Sequence, residues 1–289
     1  MDAVTVKANA KINLYLDVTS KRKNGYHDLV TVMQSISLVD TLTVARQEEK
    51  GVLLDTGGVL PSDGSNLICR AAKAYFEQSG APFGVSVKLK KQIPMQAGMG
   101  GGSADAAAML RALNTLDGDR FTVDQLCAIG AEIGADVPFC VAGGTQLCQG
   151  IGERLTPVKN RLPGTLVVAV GGEGVSTPVA FAELDRLYND FDPPQEKNSP
   201  RALLDAMENG DVDAAAPVFF NLFEEVVEPR RPAVGDIKRV MRENGAVAAM
   251  MSGSGPSVWG MFQTALDAEN ARAALLRAGY RAFICEMLV

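Results

Sequence analysis

Pro94-Met95-Gln96-Ala97-Gly98-Met99-Gly100-Gly101-Gly102-Ser103-Ala104 places four glycines within five positions, and its flanks say what it joins. Upstream, Val85 to Ile93 alternates as a strand until Pro94 stops it. Downstream, Ala104 to Leu116 is rich in alanine, so a helix starts within Gly101-Gly102-Ser103. A glycine loop between a strand and a helix suits an anion, because successive amides can turn inward without a Cβ in the way. The helix N-terminus adds about half a positive charge. No Gly-Lys-Ser/Thr closes the loop as in a Walker A sequence, and Ser103 stands where G-x-G-x-x-G requires its last glycine. The competing reading is a flexible turn ahead of an alanine-rich helix. A second glycine turn, Ser252-Gly253-Ser254-Gly255-Pro256-Ser257, reads by itself as an ordinary connection between strands.

Outward from the loop, residues 4 to 18 alternate strictly: Val4, Val6, Ala8, Ala10, Ile12, Leu14, Leu16 and Val18 share one face. Lys7, Lys11 and Asn13 fall on the other, which predicts a half-buried strand and, on spacing alone, a solvated Lys11. Asn24-Gly25 marks a turn, and Leu29 to Val44 again reads as extended, so the chain opens with antiparallel β-structure. Caps at Asp63 to Asn66 and at Gly80 bound a helix over about 66–79, and Thr122-x-x-Gln125 fits a capping box for another to about Ile133. Asp136, two residues before Pro138, suits a helix N-cap. Val141 to Leu147 can return as a strand, Leu166 to Val170 is a short buried strand, and Thr177-Pro178 opens a helix to about Leu187. Asp192 to Pro200 reads as a loop or linker. Helices are predicted near 201–208, 211–227 and 233–244, followed by strand, turn, strand, helix and strand from Ala246 onward. This is an α+β pattern, and 289 residues suggest two domains or one large one.

Composition narrows the chemistry. Lysine and arginine number 28 against 34 aspartates and glutamates, a net charge of −6, so nucleic acid and anionic membrane are not expected partners. No stretch approaches the roughly 18 apolar residues of a membrane span. Met1-Asp2-Ala3-Val4-Thr5-Val6-Lys7 lacks the layout of a signal peptide, and the cytoplasm is the expected compartment. Five cysteines without a C-x-x-C pair suggest reduced thiols. The single histidine, His27, removes every site that needs two, H-E-x-x-H zinc included.

Three segments together resemble the motifs of the GHMP small-molecule kinases: Ala10-Lys11-Ile12-Asn13-Leu14 with Gly25-Tyr26-His27, Pro94 to Ala107, and Met251 to Ser257. The resemblance implies a two-domain α+β GHMP kinase fold. Residues 1–155 would form an N-terminal ATP-binding domain of the ribosomal-protein-S5-domain-2-like type that carries the catalytic residues. Residues 156–289 would form a ferredoxin-like, substrate-side domain, with ATP and substrate meeting in a cleft. It implies phosphorylation of an alcohol by ATP with Mg²⁺, and the first segment implies a substrate linked to cytidine diphosphate, phosphorylated at the 2-hydroxyl of its methylerythritol. Other members acting on homoserine or mevalonate, and a non-catalytic nucleotide sensor, are the alternatives. By the same resemblance Pro94, Met95, Gln96, Ala97, Gly98, Met99, Gly100, Gly101, Gly102, Ser103 and Ala104 hold the ATP phosphates. Ser103 either donates to a phosphate or touches the metal. Asp136 is the general base or orienter, and Lys11 pairs with it and steadies the developing alkoxide. Tyr26, His27 and Phe181 bind the cytidine, and Asn13 faces the erythritol hydroxyls. No residue is assigned to the metal, whose ligands stay open, and the assembly is a monomer or homodimer. Met99 and Asp105 stand where the family often has Leu and Asn, so Asp105 is expected to repel phosphate slightly.

Overall fold

The computed structural model describes residues 2–174, 176–188 and 199–289, so most of the predicted 192–200 loop lies outside the described residues. Along the chain come β1 (Ala3–Lys21), β2 (His27–Gln47), β3 (Val52–Asp55), α1 (Leu67–Ser79), β4 (Gly84–Lys90), α2 (Gly101–Leu116), α3 (Val123–Ala131), α4 (Val137–Ala142), β5 (Thr145–Gly150), β6 (Arg154–Pro157) and β7 (Thr165–Val170). They are followed by α5 (Thr177–Leu187), α6 (Arg201–Asn209), α7 (Val212–Ala215), β8 (Phe220–Asn221), α8 (Glu224–Val227), α9 (Pro232–Glu243), β9 (Ala248–Met251), β10 (Ser257–Phe262), α10 (Ala265–Arg277) and β11 (Arg281–Cys285). Two compact units interleave along this order: one of residues 1–10, 38–94 and 100–143, the other of 11–37, 95–99 and 144–289.

In the first unit, the end of β2 pairs antiparallel with β4, and β4 pairs parallel with β3. The helices form where their caps predict: the Asn66 side chain accepts from Ile68 N–H, Gly80 takes a left-handed φ of 63°, and Thr122 with Gln125 forms a reciprocal capping box. α2 lies against α1 and α4, and its alanines 104, 106, 107, 108 and 112 are all buried, so small side chains let it approach on several faces.

In the second unit, β7, β9, β10 and β11 form an antiparallel sheet in the order β11-β7-β10-β9, with α9 and α10 packed on it. Helix α9 leads into β9 and α10 links β10 to β11, which gives the βαββαβ layout of a ferredoxin-like domain. The start of β2 pairs with β5, and Tyr15 and Leu16 of β1 pair parallel with β8.

Two expectations are corrected. The predicted 211–227 helix is broken into α7, a 3₁₀ turn at Ala216–Val218, β8 and α8. Pro217 removes a helix donor, and Asn221 spends its side chain on Phe223 N–H and on the carbonyls of Met251 and Gly253. The predicted 141–147 strand begins later, at Thr145, because α4 runs to Ala142 and Gly143 and Gly144 take positive φ.

Candidate active site

The glycine loop is a seated turn, and the flexible-turn reading does not hold. Gly98 has φ 75°, and a Cβ built there would stand 2.2 Å from the carbonyl oxygen of Ser252, so only glycine fits beneath the second glycine turn. Lys11 N–H donates to Met99 O at 3.1 Å, Ser257 N–H donates to Ala97 O at 3.2 Å, and Ser252 Oγ donates to Gly98 O at 3.1 Å. Three carbonyls that would repel a phosphate are thereby tied to protein. Ala97 and Met99 are buried and Met95 is exposed, while Gln96 adopts a left-handed φ of 52° and its backbone sits where a Cβ on Gly174 would strike it at 2.8 Å. Pro94 closes the segment that follows β4. Gly100 is the N-cap of α2 in a left-handed conformation, with no side-chain cap for the first-turn amides. Gly101, Gly102, Ser103 and Ala104 begin the helix, and Gly101 and Gly102 lie close enough to Ile93 and Leu67 that a Cβ would stand 3.1 and 3.3 Å from their side chains. The segment thus has the two properties an anion cradle needs: carbonyls turned away and a helix start without its own capping side chain.

Lys11 is 4% exposed and Asn13 is 1% exposed, so the solvated-lysine reading from spacing is overturned. Alternation does place the two side chains together: Lys11 Nζ donates to Asn13 Oδ1 at 2.8 Å. Asn13 Nδ2 donates to Thr31 Oγ1 at 2.8 Å, which fixes the amide's orientation, and Thr31 Oγ1–H donates to Tyr15 O at 2.6 Å. Asn13 backbone N–H donates to Ser252 Oγ at 3.2 Å, and Trp259 Nε1 donates to Asn13 O at 2.9 Å. β1, the loop and the second glycine turn therefore share one buried network. Taken alone 252–257 reads as an ordinary connection and only the motif resemblance singled out Ser252, while the contribution of Trp259 was not legible in sequence.

Asp136 occupies the N-cap position of α4 but has helical φ and ψ and makes no capping hydrogen bond with its side chain, so its carboxylate is not spent on the cap. Arg111 of α2 holds the other end of this helix, donating to Cys140 O at 2.6 Å and to Lys7 O at 2.8 Å, with burial pushing its pKa down. α4 is fixed by a side chain that the sequence did not single out.

Asp105 does not present its charge as expected. It is buried, and its Oδ2 accepts from Lys91 Nζ at 2.8 Å while Lys91 also meets Asp40 Oδ2 at 2.5 Å. Asp40 Oδ1 in turn accepts the Gln92 and Ile93 amides, locking the end of β4 ahead of the loop. The expected phosphate repulsion gives way to a structural ion bridge, with Asp105 Oδ1 buried without a hydrogen-bond partner.

Tyr26 and His27 follow the Asn24-Gly25 turn, where Gly25 has φ 85° and Arg22 N–H closes on Tyr26 O at 2.7 Å. Tyr26 is exposed and His27 is buried. The His27 ring stacks on Phe181 with centroids 4.6 Å apart and planes at 14°, and Phe181 rests edge-on against Phe223. His27 Nε2 lies 2.7 Å from Asp185 Oδ1, and Lys21 Nζ donates to Asp185 Oδ2 at 2.7 Å. Burial pushes the Asp185 carboxyl up, but hydrogen bonds from Lys21 and His27 outweigh it and hold the group below the usual range. Of the residues expected at the cytidine, His27 and Phe181 are in direct contact. Asp185 was missed, although it stands one helical turn beyond Phe181 on α5.

A glycine loop with its carbonyls sequestered, a buried lysine on the first strand and a ferredoxin-like second unit are features of one class of small-molecule kinase. Residues 66–144 match the GHMP kinases N terminal domain and residues 197–282 match the GHMP kinases C terminal domain. At 38% identity over 285 residues, covering 98% of this chain and 95% of the relative, the chain is similar to 4-diphosphocytidyl-2-C-methyl-D-erythritol kinase of Caldicellulosiruptor saccharolyticus. At 40% over 287 residues, covering 99% and 96%, it is similar to the enzyme of that name in Exiguobacterium sibiricum. The crystal structure of a 4-(cytidine 5'-diphospho)-2C-methyl-D-erythritol kinase superposes with a TM-score of 0.82 at 35% identity, covering 98% of this chain and 99% of that one. The chain belongs to the 4-diphosphocytidyl-2-C-methyl-D-erythritol kinase family of GHMP kinases, ATP-dependent enzymes with a two-domain α+β fold.

Proposed function

We propose that this protein transfers the γ-phosphoryl group of ATP to the 2-hydroxyl of 4-diphosphocytidyl-2-C-methyl-D-erythritol, giving the 2-phosphate and ADP in non-mevalonate isoprenoid synthesis. The observation that carries the reading is the burial of Lys11 on β1, hydrogen-bonded to Asn13, in the network that also seats Met99 and Gly98 of the glycine loop. A buried ammonium needs polar partners, of which Asn13 is one here, and phosphoryl transfer uses positive charge at the reacting oxygens.

In this reading residues 94–104 receive the triphosphate through backbone amides and the start of α2. Asp136 orients the attacking hydroxyl or takes its proton, and Lys11 steadies the oxygen as it loses that proton. Asn13 has its oxygen occupied by Lys11, so its remaining amide N–H is the group available to a hydroxyl of the erythritol. Tyr26 offers an aromatic face to the cytosine, and His27 and Phe181 form the adjoining wall. Mg²⁺ would enter on the nucleotide's own phosphates, as is usual for kinases. Mg²⁺ bound in that way neutralises phosphate charge.

ADP release in the presence of the cytidine-linked substrate, homoserine or mevalonate tests the assignment. Release is expected with the first alone. Equal turnover of a free alcohol would transfer the protein to another branch of the kinases, and none with any alcohol would make it a nucleotide sensor. Asp136→Asn should lower kcat by about 10³-fold with ATP binding near normal, and full activity in that variant removes Asp136 from the reaction.

A further inference from the structure

Phe181 and Asp185 stand four residues apart on α5, and both reach the same ring: one stacks on His27, the other faces its Nε2 at 2.7 Å. A histidine bound only by stacking can slide and rotate in its plane. A carboxylate at one nitrogen removes that freedom and fixes which nitrogen carries the proton. The carboxylate is itself held, because Lys21, at the end of β1, takes its second oxygen at 2.7 Å. Lys21 and His27 flank the Asn24-Gly25 turn, so a single aspartate on α5 grips both sides of the hairpin that carries Tyr26.

We propose that Asp185, braced by Lys21, is the positioning residue for recognition of the cytosine: it sets the tautomer and the plane of His27 and fixes the hairpin that presents Tyr26. The assignment rests on the reading that His27 and Tyr26 meet the cytidine. Asp185 itself touches no reacting atom. Its work is to hold the base-recognising edge before substrate arrives, which lowers the ordering cost of binding.

The test is steady-state kinetics of Asp185→Ala and Asp185→Asn on the full chain, with nitrogen-15 spectra of the imidazole, for which a lone histidine gives unambiguous signals. Asp185→Ala should raise KM for the cytidine-linked substrate about tenfold, the loss of one hydrogen bond to a charged group, with kcat at saturation and KM for ATP little changed. Asp185→Asn keeps a carbonyl oxygen to accept from Nε2–H and should recover most of the affinity. At alkaline pH the unaltered protein should show the proton resident on Nε2, and Asp185→Ala should shift the imidazole nitrogen signals. An unchanged KM, or an unchanged imidazole spectrum in a folded Asp185→Ala protein, overturns the proposal. A KM rise equal for ATP and for the cytidine-linked substrate would mark a merely structural role and overturn it too. Failure of the underlying functional reading shows differently, as an unaltered protein that consumes no cytidine-linked substrate.

Discussion

Two of the ion clusters in this protein are mirror images in composition. At the foot of the glycine loop two carboxylates, Asp40 and Asp105, share the one ammonium of Lys91. Beside the aromatic pair two basic groups, Lys21 and His27, share the one carboxylate of Asp185. The first cluster is shut from water, its side chains 10% exposed or less, whereas Lys21 and Asp185 are 35% and 23% exposed. Charge removed from water is costly and must be matched, so the closed cluster chiefly fixes structure. Charge at a wet rim is worth little to stability and is better suited to aiming a neighbour.

Replacing Lys91 by Met should test that contrast most severely. It leaves two carboxylates buried against each other, and the expected loss is about 3–5 kcal/mol in urea unfolding; a loss under about 1 kcal/mol would mean that water reaches the cluster and that the two sites do not differ in kind. A smaller effect belongs to Asp105→Asn. Burial lifts the Asp105 carboxyl from 3.8 to about 7, with Lys91 opposing and Asp40 assisting. The folded protein therefore holds this proton more tightly than the unfolded chain does. The stability it supplies is complete below about pH 4, declines as pH rises, and is gone above about 7. Melting temperature against pH should be flatter in Asp105→Asn across that window, and parallel curves would break the assignment. Least of all, Lys21→Met should cost about 0.2–1 kcal/mol, because Asp185 remains partly hydrated, while raising KM for the cytidine-linked substrate modestly. A stability loss as large as that of Lys91→Met would erase the distinction.

What could be read from sequence was local. Asn66 and Gly80 around α1, the Thr122 and Gln125 box, and the strand-to-helix glycine loop each carry their physics within a few residues, and each forms where expected. The alternation of β1 brought Lys11 beside Asn13, but not into solvent, because the polar face is covered by polar partners, Thr31 and Ser252 among them, whose approach the period does not record. Helix propensity over 211–227 lost to Pro217 and to an asparagine serving a turn some thirty residues away. Asp105, read as a charge aimed at phosphate, is neutralised by partners whose approach depends on the fold. Asp185 and Arg111 were silent for the same reason, since their partners lie far along the chain, whereas Ser252 was marked only through its motif.

Gly98 is seated under Ser252, and Ser252 is tied to Asn13, contacts that span 154 and 239 residues of sequence. During synthesis the ribosome must therefore release nearly the whole polypeptide before the glycine loop acquires its floor. A nascent or prematurely terminated chain would own every residue of the loop and still lack the contacts that seat it.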